Sequence, residues 1–426
     1  MKINLKKVII WAKELFPLNR SLTGSGNFET LNYLKKINKR LKLKYSYSNK
    51  IVFDWKIPKV WNVKSASLKD EYGNLICSFE RNNLELVGYS IPIKKKFTYY
   101  EILPHLHYLK KQPSAIPYVT SYYKKNWGFC LTYKKFKKLN KNIKYIVDID
   151  TSFSNGKMYY GEIFLKGQSK KEILVTTYIC HPSMANNELS GILATLYLSK
   201  IIKSKKYSIR FLFIPETIGA INYINKNLGH LKKNLIAGIN ISCVGLGGPY
   251  TIINSIYANT YSDIISRRIG KKYINFKELK FQFRGSNERQ FGCQNLDLPF
   301  ITFCRKRFGD YKEYHTSLDN LDIMNYKELI NSINFVRNFI NEIQNNQIFI
   351  KNKICEPFLT KYNLVESVGT RENMKNKNRA IASNIIAYVN RKYDLYEIAK
   401  SLKENIQSIK KISSIIKKKR IIKEVI

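Results

Sequence analysis

The chain contains the stretch Tyr178-Ile179-Cys180-His181-Pro182-Ser183-Met184-Ala185-Asn186-Asn187-Glu188-Leu189-Ser190-Gly191. The apolar run 173–179, which leads into it, is typical of a strand buried on both faces of a sheet. A helix is predicted to begin where the stretch ends. One of only five histidines in the chain therefore lies at a strand end. Open α/β sheets place their ligands and catalytic groups at such strand ends.

Strands and helices alternate outward from this stretch. The pattern predicts strands at 209–214, 237–241 and 300–303, and helices at 188–203, 220–227 and 326–343. This βαβ order is typical of a mixed or parallel sheet covered by helices. We therefore predict the α/β class, with a mixed sheet that is flanked by helices.

The flanking regions have different patterns. Short β-type runs at 52–55, 84–89 and 127–131 predict an inserted β-rich domain over 51–150, so that 1–50 and 151–350 together form the α/β domain. Helical periodicity at 381–390, 395–402 and 406–418, followed by a strand at 421–426, predicts a winged-helix domain over 355–426. Its last helix is basic. Contact with nucleic acid and docking of a protein partner both remain open for it.

Composition bounds the function. The 426 residues carry a formal charge of +43, which fits attraction to nucleic acid, an anionic membrane or acidic glycans. We favour a bias of the coding sequence towards lysine instead, because the lysines are spread along the whole chain. No apolar stretch is long enough for a membrane span. Seven cysteines without a C-x-x-C pair suit a reducing compartment, so we expect a cytoplasmic protein. A homo-oligomer is neither predicted nor excluded.

Four segments that end predicted βα units carry polar groups. They contain His181, Glu216, the run 285–291 with Arg289, and the run 313–320 with His315. Two neutral imidazoles and a carboxylate can hold zinc, and a further carboxylate can take a proton from water. Each group also fits a structural role when taken singly. Their joint position at strand ends favours a zinc hydrolase.

Several long strings in the chain resemble a bacterial family of polysaccharide-biosynthesis proteins with an aminopeptidase-like domain. Among them are Leu-Phe-Pro-Leu-Asn-Arg-Ser-Leu-Thr-Gly at 15–24, Phe-Asp-Trp-Lys-Ile-Pro at 53–58, and the segments 117–123, 180–191, 215–219 and 313–320. The resemblance extends over nearly the whole chain. It implies a zinc-aminopeptidase-like domain, an inserted β domain and a C-terminal winged helix.

Resemblance to the co-catalytic zinc aminopeptidases implies a role for three residues. His181 and His315 correspond to metal ligands, and Glu216 corresponds to the general base. The same resemblance assigns the remaining ligand positions to neutral residues: Asn187, Thr217 and a position near Ser242. Such residues replace anionic ligands poorly.

We therefore predict one zinc ion, held by His181, Glu188 and His315, rather than a two-zinc centre. Arg289 is predicted to bind a substrate carboxylate, and Arg20 is a further candidate for that role. Ion pairing at the surface is the alternative for both arginines. The chain also departs from its own family at Leu246, Asn287 and Phe291, where the family usually has Asp, Asp and Tyr.

Two functions follow from this site. The first is a metal-dependent hydrolase that cleaves an amide bond of a small peptide or of an aminoacyl or N-acyl sugar precursor. The second is a catalytically inactive, metal- or ligand-binding scaffold in polysaccharide assembly, which docks partners or nucleic acid through the winged helix. A DNA-binding regulator is a weaker third alternative.

Overall fold

The structure is a computed structural model that describes residues 4–364 and 377–425. The chain divides into two compact units, one up to Phe339 and one from Ile340 onward. The helices of the described residues are α1 Leu5–Leu15, α2 Ser25–Ile37, α3 Tyr99–Ile102, α4 Tyr133–Phe136, α5 Ser190–Ile201, α6 Ile218–Asn234, α7 Tyr261–Gly270, α8 Glu288–Phe291, α9 Tyr326–Asn345, α10 Lys377–Tyr388, α11 Leu395–Ser401 and α12 Ile406–Lys418.

The strands fall into several sheets. They are β1 Lys42–Tyr47, β2 Ile51–Val52, β3 Trp55–Lys56, β4 Val60–Asp70, β5 Leu75–Ser78, β6 Ile93–Thr98, β7 Leu106–His107, β8 Phe129–Cys130, β9 Lys144–Ser154, β10 Lys157–Leu165, β11 Ser169–Tyr178, β12 Tyr207–Ile214, β13 Leu235–Ile241, β14 Tyr250–Ile253, β15 Phe276–Leu279, β16 Phe300–Cys304, β17 Ile348–Lys351, β18 Asn390–Asp394 and β19 Ile422–Glu424.

An eight-stranded mixed sheet organises the first unit, with the order β1-β10-β12-β11-β13-β16-β14-β15. The central strands β12, β11, β13 and β16 run parallel to one another. Their continuous apolar sequences are buried on both faces, as expected of parallel strands. The predicted α/β class and mixed sheet are confirmed. Because the strands are parallel, their carboxyl ends meet along one edge of the sheet.

Helices α5 and α6 cover opposite faces of this sheet. Gly191 of α5 faces Thr177, whereas Ala220, Tyr223 and Ile224 of α6 pack in one cluster with Leu174. Side chains of odd and even residues in a strand point to opposite faces, so the two helices lie on different sides. A Cβ at position 191 would stand 2.5 Å from both the Ile241 carbonyl and the Thr177 hydroxyl. Glycine therefore allows α5 to approach the sheet closely.

The region predicted as β-rich contains a four-stranded antiparallel sheet in the order β5-β4-β9-β6. Its strands are not the runs that the sequence highlighted. Residues 52–55 form the turn of the β2–β3 hairpin, and the 84–89 run contains a 3₁₀ turn at Asn83–Glu85. The long strands β4 and β6 were missed, because lysines and small polar residues dilute their apolar alternation.

The second unit combines helices α10, α11 and α12 with a three-stranded sheet in the order β18-β17-β19. Helix α12 has the bounds that its periodicity predicts, 406–418, and the terminal strand is also present. The apolar core of this unit includes Ile385, Ile398, Ile409 and Ile416. The winged-helix assignment itself stays a prediction.

Two whole-chain properties bear on earlier expectations. All seven cysteines are free thiols, and five of them are buried. Among the helices of residues 4–364 and 377–425, none has both the length and the apolar character that crossing a membrane requires.

Candidate functional site

The carboxyl ends of the parallel strands carry a group of residues with strained backbones. Ser183, Thr217, Cys243 and His315 all have positive φ, between 43° and 59°. This left-handed region is unfavourable for non-glycine residues, above all for a β-branched one such as Thr217. Strain of this kind concentrates at functional sites, where the surrounding structure holds it in place.

His181 follows β11 and is buried, with 4% of its surface exposed. Glu188, in a π-helical turn at Ala185–Leu189, accepts hydrogen bonds at Oε2 from the backbone amides of Cys180 (2.6 Å) and His181 (2.5 Å). The same oxygen lies 3.1 Å from His181 Nδ1. Burial opposes a charged imidazole, yet Cys180 and Glu188 raise the pKa of His181 well above its usual range. Glu188 therefore fixes the orientation of the ring and leaves Nε2 as its outward nitrogen.

Arg20 completes this arrangement from a loop 168 residues earlier in the chain. Its Nε donates to Glu188 Oε1 at 2.5 Å, and its Nη1 donates to the Leu15 carbonyl. Both side chains of the Arg20–Glu188 ion pair are fully buried. Arg20 is thus engaged in an ion pair inside the protein. This contact differs both from the predicted binding of a substrate carboxylate and from the alternative of an ion pair at the surface.

His315 is held in a different way, mainly by aromatic rings. Tyr314 stacks on it at a centroid distance of 3.9 Å, and Tyr118 meets it edge-on at 5.2 Å. Its Nε2 is buried and has no hydrogen-bond partner. Burial, together with the neighbouring His181, lowers the pKa of His315 to about 3. The ring is therefore neutral, and no protein group pairs with its Nε2.

The two imidazoles lie side by side, with ring centroids 5.3 Å apart. Tyr118 contacts both of them, at 5.5 Å from His181 and 5.2 Å from His315. The Tyr118 backbone amide also donates to the His315 carbonyl, at 2.8 Å. Residues 134 positions apart in the sequence are thereby brought into one cleft.

Glu216, directly after β12, is only partly buried. Burial raises the pKa of its carboxyl, while His181, a hydrogen bond from Ser286 and the charge of Arg289 counteract this. Glu216 thus lies within electrostatic reach of the His181 side of the cleft. A carboxylate with a raised pKa and some access to solvent is suited to exchange a proton with water.

Arg289 is tied to the loop that carries Glu216. Its Nη2 donates to Thr217 Oγ1 at 2.8 Å, and its Nε donates to the Ser286 carbonyl at 3.3 Å. The Thr217 amide in turn donates to Asn287 Oδ1 at 3.2 Å. These bonds join the 215–219 and 285–291 loops, so all four predicted segments meet at the cleft.

Two asparagines before α5 are positioned by Asp319. Its carboxylate accepts from the amides of Asn186 (2.6 Å) and Asn187 (3.0 Å) and from the Tyr311 hydroxyl (2.8 Å). Asn187 Oδ1 accepts from the Tyr178 hydroxyl, whose oxygen also lies 2.6 Å from Ser242 Oγ. The Nδ2 atoms of Asn187 and Asn287 are buried without partners. Asn187 and Ser242, at positions that the resemblance assigns to metal ligands, therefore offer only a neutral amide and a hydroxyl.

The donor set of the cleft fits a zinc ion. His181 and His315 offer two imidazoles, of which His315 Nε2 is free, and imidazole nitrogen is a common zinc ligand. A cation at His181 would have to compete with its proton. A second arrangement is formed by Cys180, His181 and Glu188, whose ligand atoms lie within 4.8 Å of one another. In that set Glu188 already accepts four hydrogen bonds, one of them from Arg20.

Sequence reasoning missed several residues that build the cleft. Tyr118 and Tyr314 pack on the imidazoles, and Asp319 fixes the turn before α5. Tyr314 and Asp319 stand in the 313–320 string and Tyr118 in the 117–123 string that carried the family resemblance. Position within such a string was therefore the available signal. The pairing of Arg20 with Glu188 left no local signal.

Comparison with known proteins agrees with this fold. The sequence profile of a family described as a domain of unknown function, DUF4910, matches residues 10–346. A candidate polysaccharide biosynthesis protein with an aminopeptidase-like domain, from Clostridium acetobutylicum, is 38% identical over 364 residues. That alignment covers 84% of this chain and 82% of the relative.

Solved structures give the same picture. A crystal structure of a candidate peptidase from Clostridium acetobutylicum matches with a TM-score of 0.81 and 34% identity, covering 99% of this chain and 96% of that one. The zinc aminopeptidase BSAP from Bacillus subtilis matches with a TM-score of 0.59 and 14% identity, covering 80% and 94%. The second likeness is one of fold alone.

Proposed function

Since this chain belongs to the DUF4910 family and has an aminopeptidase-like fold, we propose that it is a one-zinc, aminopeptidase-like hydrolase. Its reaction would be cleavage of an amide bond in a small peptide or in an aminoacyl or N-acyl sugar precursor. The name of the Clostridium relative supports a link to surface polysaccharide biosynthesis. Seven free thiols support a role in the cytoplasm.

The observation that carries this proposal is the state of His315. Its ring is half-buried and neutral, its buried Nε2 has no partner, and the His181 ring lies 5.3 Å away between centroids. Leaving a buried polar atom unpaired costs free energy, so such an atom calls for a ligand. A cation between two imidazoles would satisfy it.

In this proposal His181 and His315 hold the ion. We assign Glu188 to the orientation of His181, because its two oxygens already bind Arg20, two backbone amides and the imidazole. A carboxylate in this supporting role increases the basicity of the ligating histidine. The earlier prediction that Glu188 is itself a ligand stays open to test. Zinc, when bound, would polarise a carbonyl and lower the pKa of water.

Glu216 is the proposed general base. It would accept the proton of the attacking water and then deliver it to the departing amine, so that the carboxylate is regenerated. Arg289 is held against Thr217 at the same end of the cleft, where its remaining N–H groups would bind a substrate carboxylate. Tyr118 and Tyr314 wall the imidazoles and limit the entry of bulk water.

The test combines zinc analysis of the full chain with hydrolysis of aminoacyl anilides and aminoacyl amino sugars. We expect about one zinc per chain, and Glu216→Gln should slow hydrolysis by about 10²–10⁴-fold while zinc content is unchanged. Glu29→Gln, on the exposed face of α2, removes the same charge away from the cleft and should act like wild type. An unchanged rate in Glu216→Gln would contradict the proposal.

The neutral side chains Asn187, Thr217 and Ser242 favour a second candidate, the catalytically inactive scaffold of polysaccharide assembly. Without anionic ligands, a site holds a cation less firmly and stabilises less charge in a reaction. Protein that contains zinc but hydrolyses none of the amide substrates would support this function instead.

A further inference from the structure

A cavity of about 350 Å³ lies in the β-rich part of the first unit. It is lined by Asn49, by residues 56–59, which begin at the end of β3, by residues 122–125, and by Tyr89, Ile91 and Phe153. Its volume is within the range of small-molecule sites. None of the residues assigned to the proposed reaction lines this cavity.

One wall of the cavity is aromatic and rigid. Tyr89 is buried and stacks on Trp61, with centroids 5.1 Å apart and planes 19° apart. It also contacts Tyr122 at 5.7 Å and Phe153 at 6.4 Å. The rings therefore support one another, and a ligand would meet a preformed apolar surface.

The rim adds an exposed aromatic pair. Tyr123 has 51% of its surface exposed and Trp55 has 37%, and their rings lie 6.5 Å apart. The Tyr123 hydroxyl donates to the Lys56 carbonyl at 2.7 Å, which fixes the ring in an open position. An exposed ring held in this way can stack on a planar heterocycle, and such stacking tolerates any base.

The charge of the cavity is entirely positive. No acidic residue lines it, and four lysines do: Lys56, Lys59, Lys124 and Lys125. Within residues 4–364 and 377–425, none of the four has a carboxylate at ion-pair distance. Lys64 and Lys94 of the neighbouring sheet, in contrast, pair with Asp150 and Asp148. Unpaired ammonium groups around a concave site favour a ligand with several negative charges.

We propose that this pocket binds the nucleoside diphosphate part of a nucleotide-linked substrate, with the base on the aromatic rings and the diphosphate on the lysines. A neutral sugar fits less well, because the lysines would gain no partner. This inference deepens the proposed function and rests on it, since the group carried by the diphosphate would be the one that reacts.

Tyr122 connects the pocket to the cleft. Burial raises the pKa of the Tyr122 hydroxyl, and Cys180 and Glu216 of the cleft add to this effect. Tyr122 shares a hydrogen bond with Tyr118, which contacts both imidazoles. A second cavity of about 20 Å³ touches Tyr89, Tyr118 and Tyr122. The pocket and the reaction centre therefore share a wall that Tyr118 and Tyr122 form.

Calorimetric titration of the full chain at low salt tests the pocket with UDP, ADP, uridine, glucuronate and inorganic phosphate. We expect UDP or ADP to bind with a Kd below about 1 mM. Uridine and phosphate should bind at least about tenfold more weakly, because each makes only one half of the contacts. Glucuronate that binds as tightly as the nucleotides would overturn the nucleotide assignment in favour of an acidic sugar.

The matched variants are Lys124→Ala/Lys125→Ala in the pocket and Lys134→Ala/Lys138→Ala, two exposed lysines outside it. The first pair should weaken UDP binding at least about fivefold and the second should leave it unchanged, because only the first contacts the phosphates. Equal weakening by both pairs would overturn the site.

Titration of Glu216→Gln separates this inference from the proposed reaction. UDP should bind the variant as it binds wild type, because Glu216 does not line the pocket. Failure to bind UDP in protein that hydrolyses amide substrates would overturn the pocket alone. Intact UDP binding in protein without hydrolysis would overturn the reaction alone.

Discussion

The two histidines of the cleft are held in place by different interactions. The His181 ring contacts Glu188, which forms an ion pair with Arg20, and both of these side chains are fully buried. His315 stands on a loop with a strained backbone, at φ 54°, and is held by the rings of Tyr314 and Tyr118. One side depends on the satisfaction of buried charges, and the other depends on ring packing.

This difference shows that two neighbouring imidazoles of one cleft are held by unlike contacts. The charge that orients His181 lies behind the ring, where Arg20 neutralises it. The neutral His315 needs no counter-charge. Substitutions on the His181 side should therefore have large electrostatic effects, whereas substitutions on the His315 side should have modest packing effects.

The largest effect is expected for Arg20→Met. It leaves Glu188 as a buried charge without its partner, which should lower the free energy of unfolding by about 3–5 kcal/mol. Urea denaturation measures this change. The double variant Arg20→Met/Glu188→Gln removes the charge and keeps the acceptor for the backbone amides. It should recover much of the loss. A loss below about 1 kcal/mol in the single variant would show that the pair is unimportant.

The single variant Glu188→Gln tests whether Glu188 orients His181 or is itself a zinc ligand. If Glu188 orients His181, the variant should bind zinc about 10–100-fold more weakly, because supporting residues of ligating histidines have effects of this size. Competition with a chelator measures the affinity. A folded variant that binds no zinc would instead make Glu188 a ligand, as the sequence predicted.

The smallest effect is expected on the His315 side. Tyr314→Leu removes the stacked ring and should lower the free energy of unfolding by about 0.5–1.5 kcal/mol beyond the loss of buried area. Tyr314→Phe keeps the ring and serves as the control, with a stability close to that of wild type. Equal destabilisation by both substitutions would mean that the hydroxyl, and not the stack, supports His315.

The sequence predicted the main sheet well, because strands that are buried on both faces have continuous apolar sequences, as in β11 and β13. It predicted the four-stranded sheet poorly. Strand β6 contains Lys94, Lys95 and Lys96 in succession, so its paired residues carry no apolar alternation. Pairing with β9, which lies far along the chain, forms this strand despite its composition.

The candidate site was likewise predicted only in part. Strand ends can be recognised from the local sequence, so the sequence alone predicts His181 and Glu216 at one edge of the sheet. The partner of Glu188 could not be, because Arg20 comes from a loop before α2 and nothing near Glu188 indicates it. Orientation of a side chain depends on such distant contacts, whereas its position in the fold depends on local pattern.

The most direct measurement is zinc-edge anomalous diffraction from crystals of the full chain grown with zinc. We expect one ion, with Nε2 of His181 and Nε2 of His315 each at about 2.0–2.1 Å from it. An ion on the other side of the His181 ring, bound by Cys180 and Glu188, would contradict it. So would two ions, or a cleft that takes up no zinc.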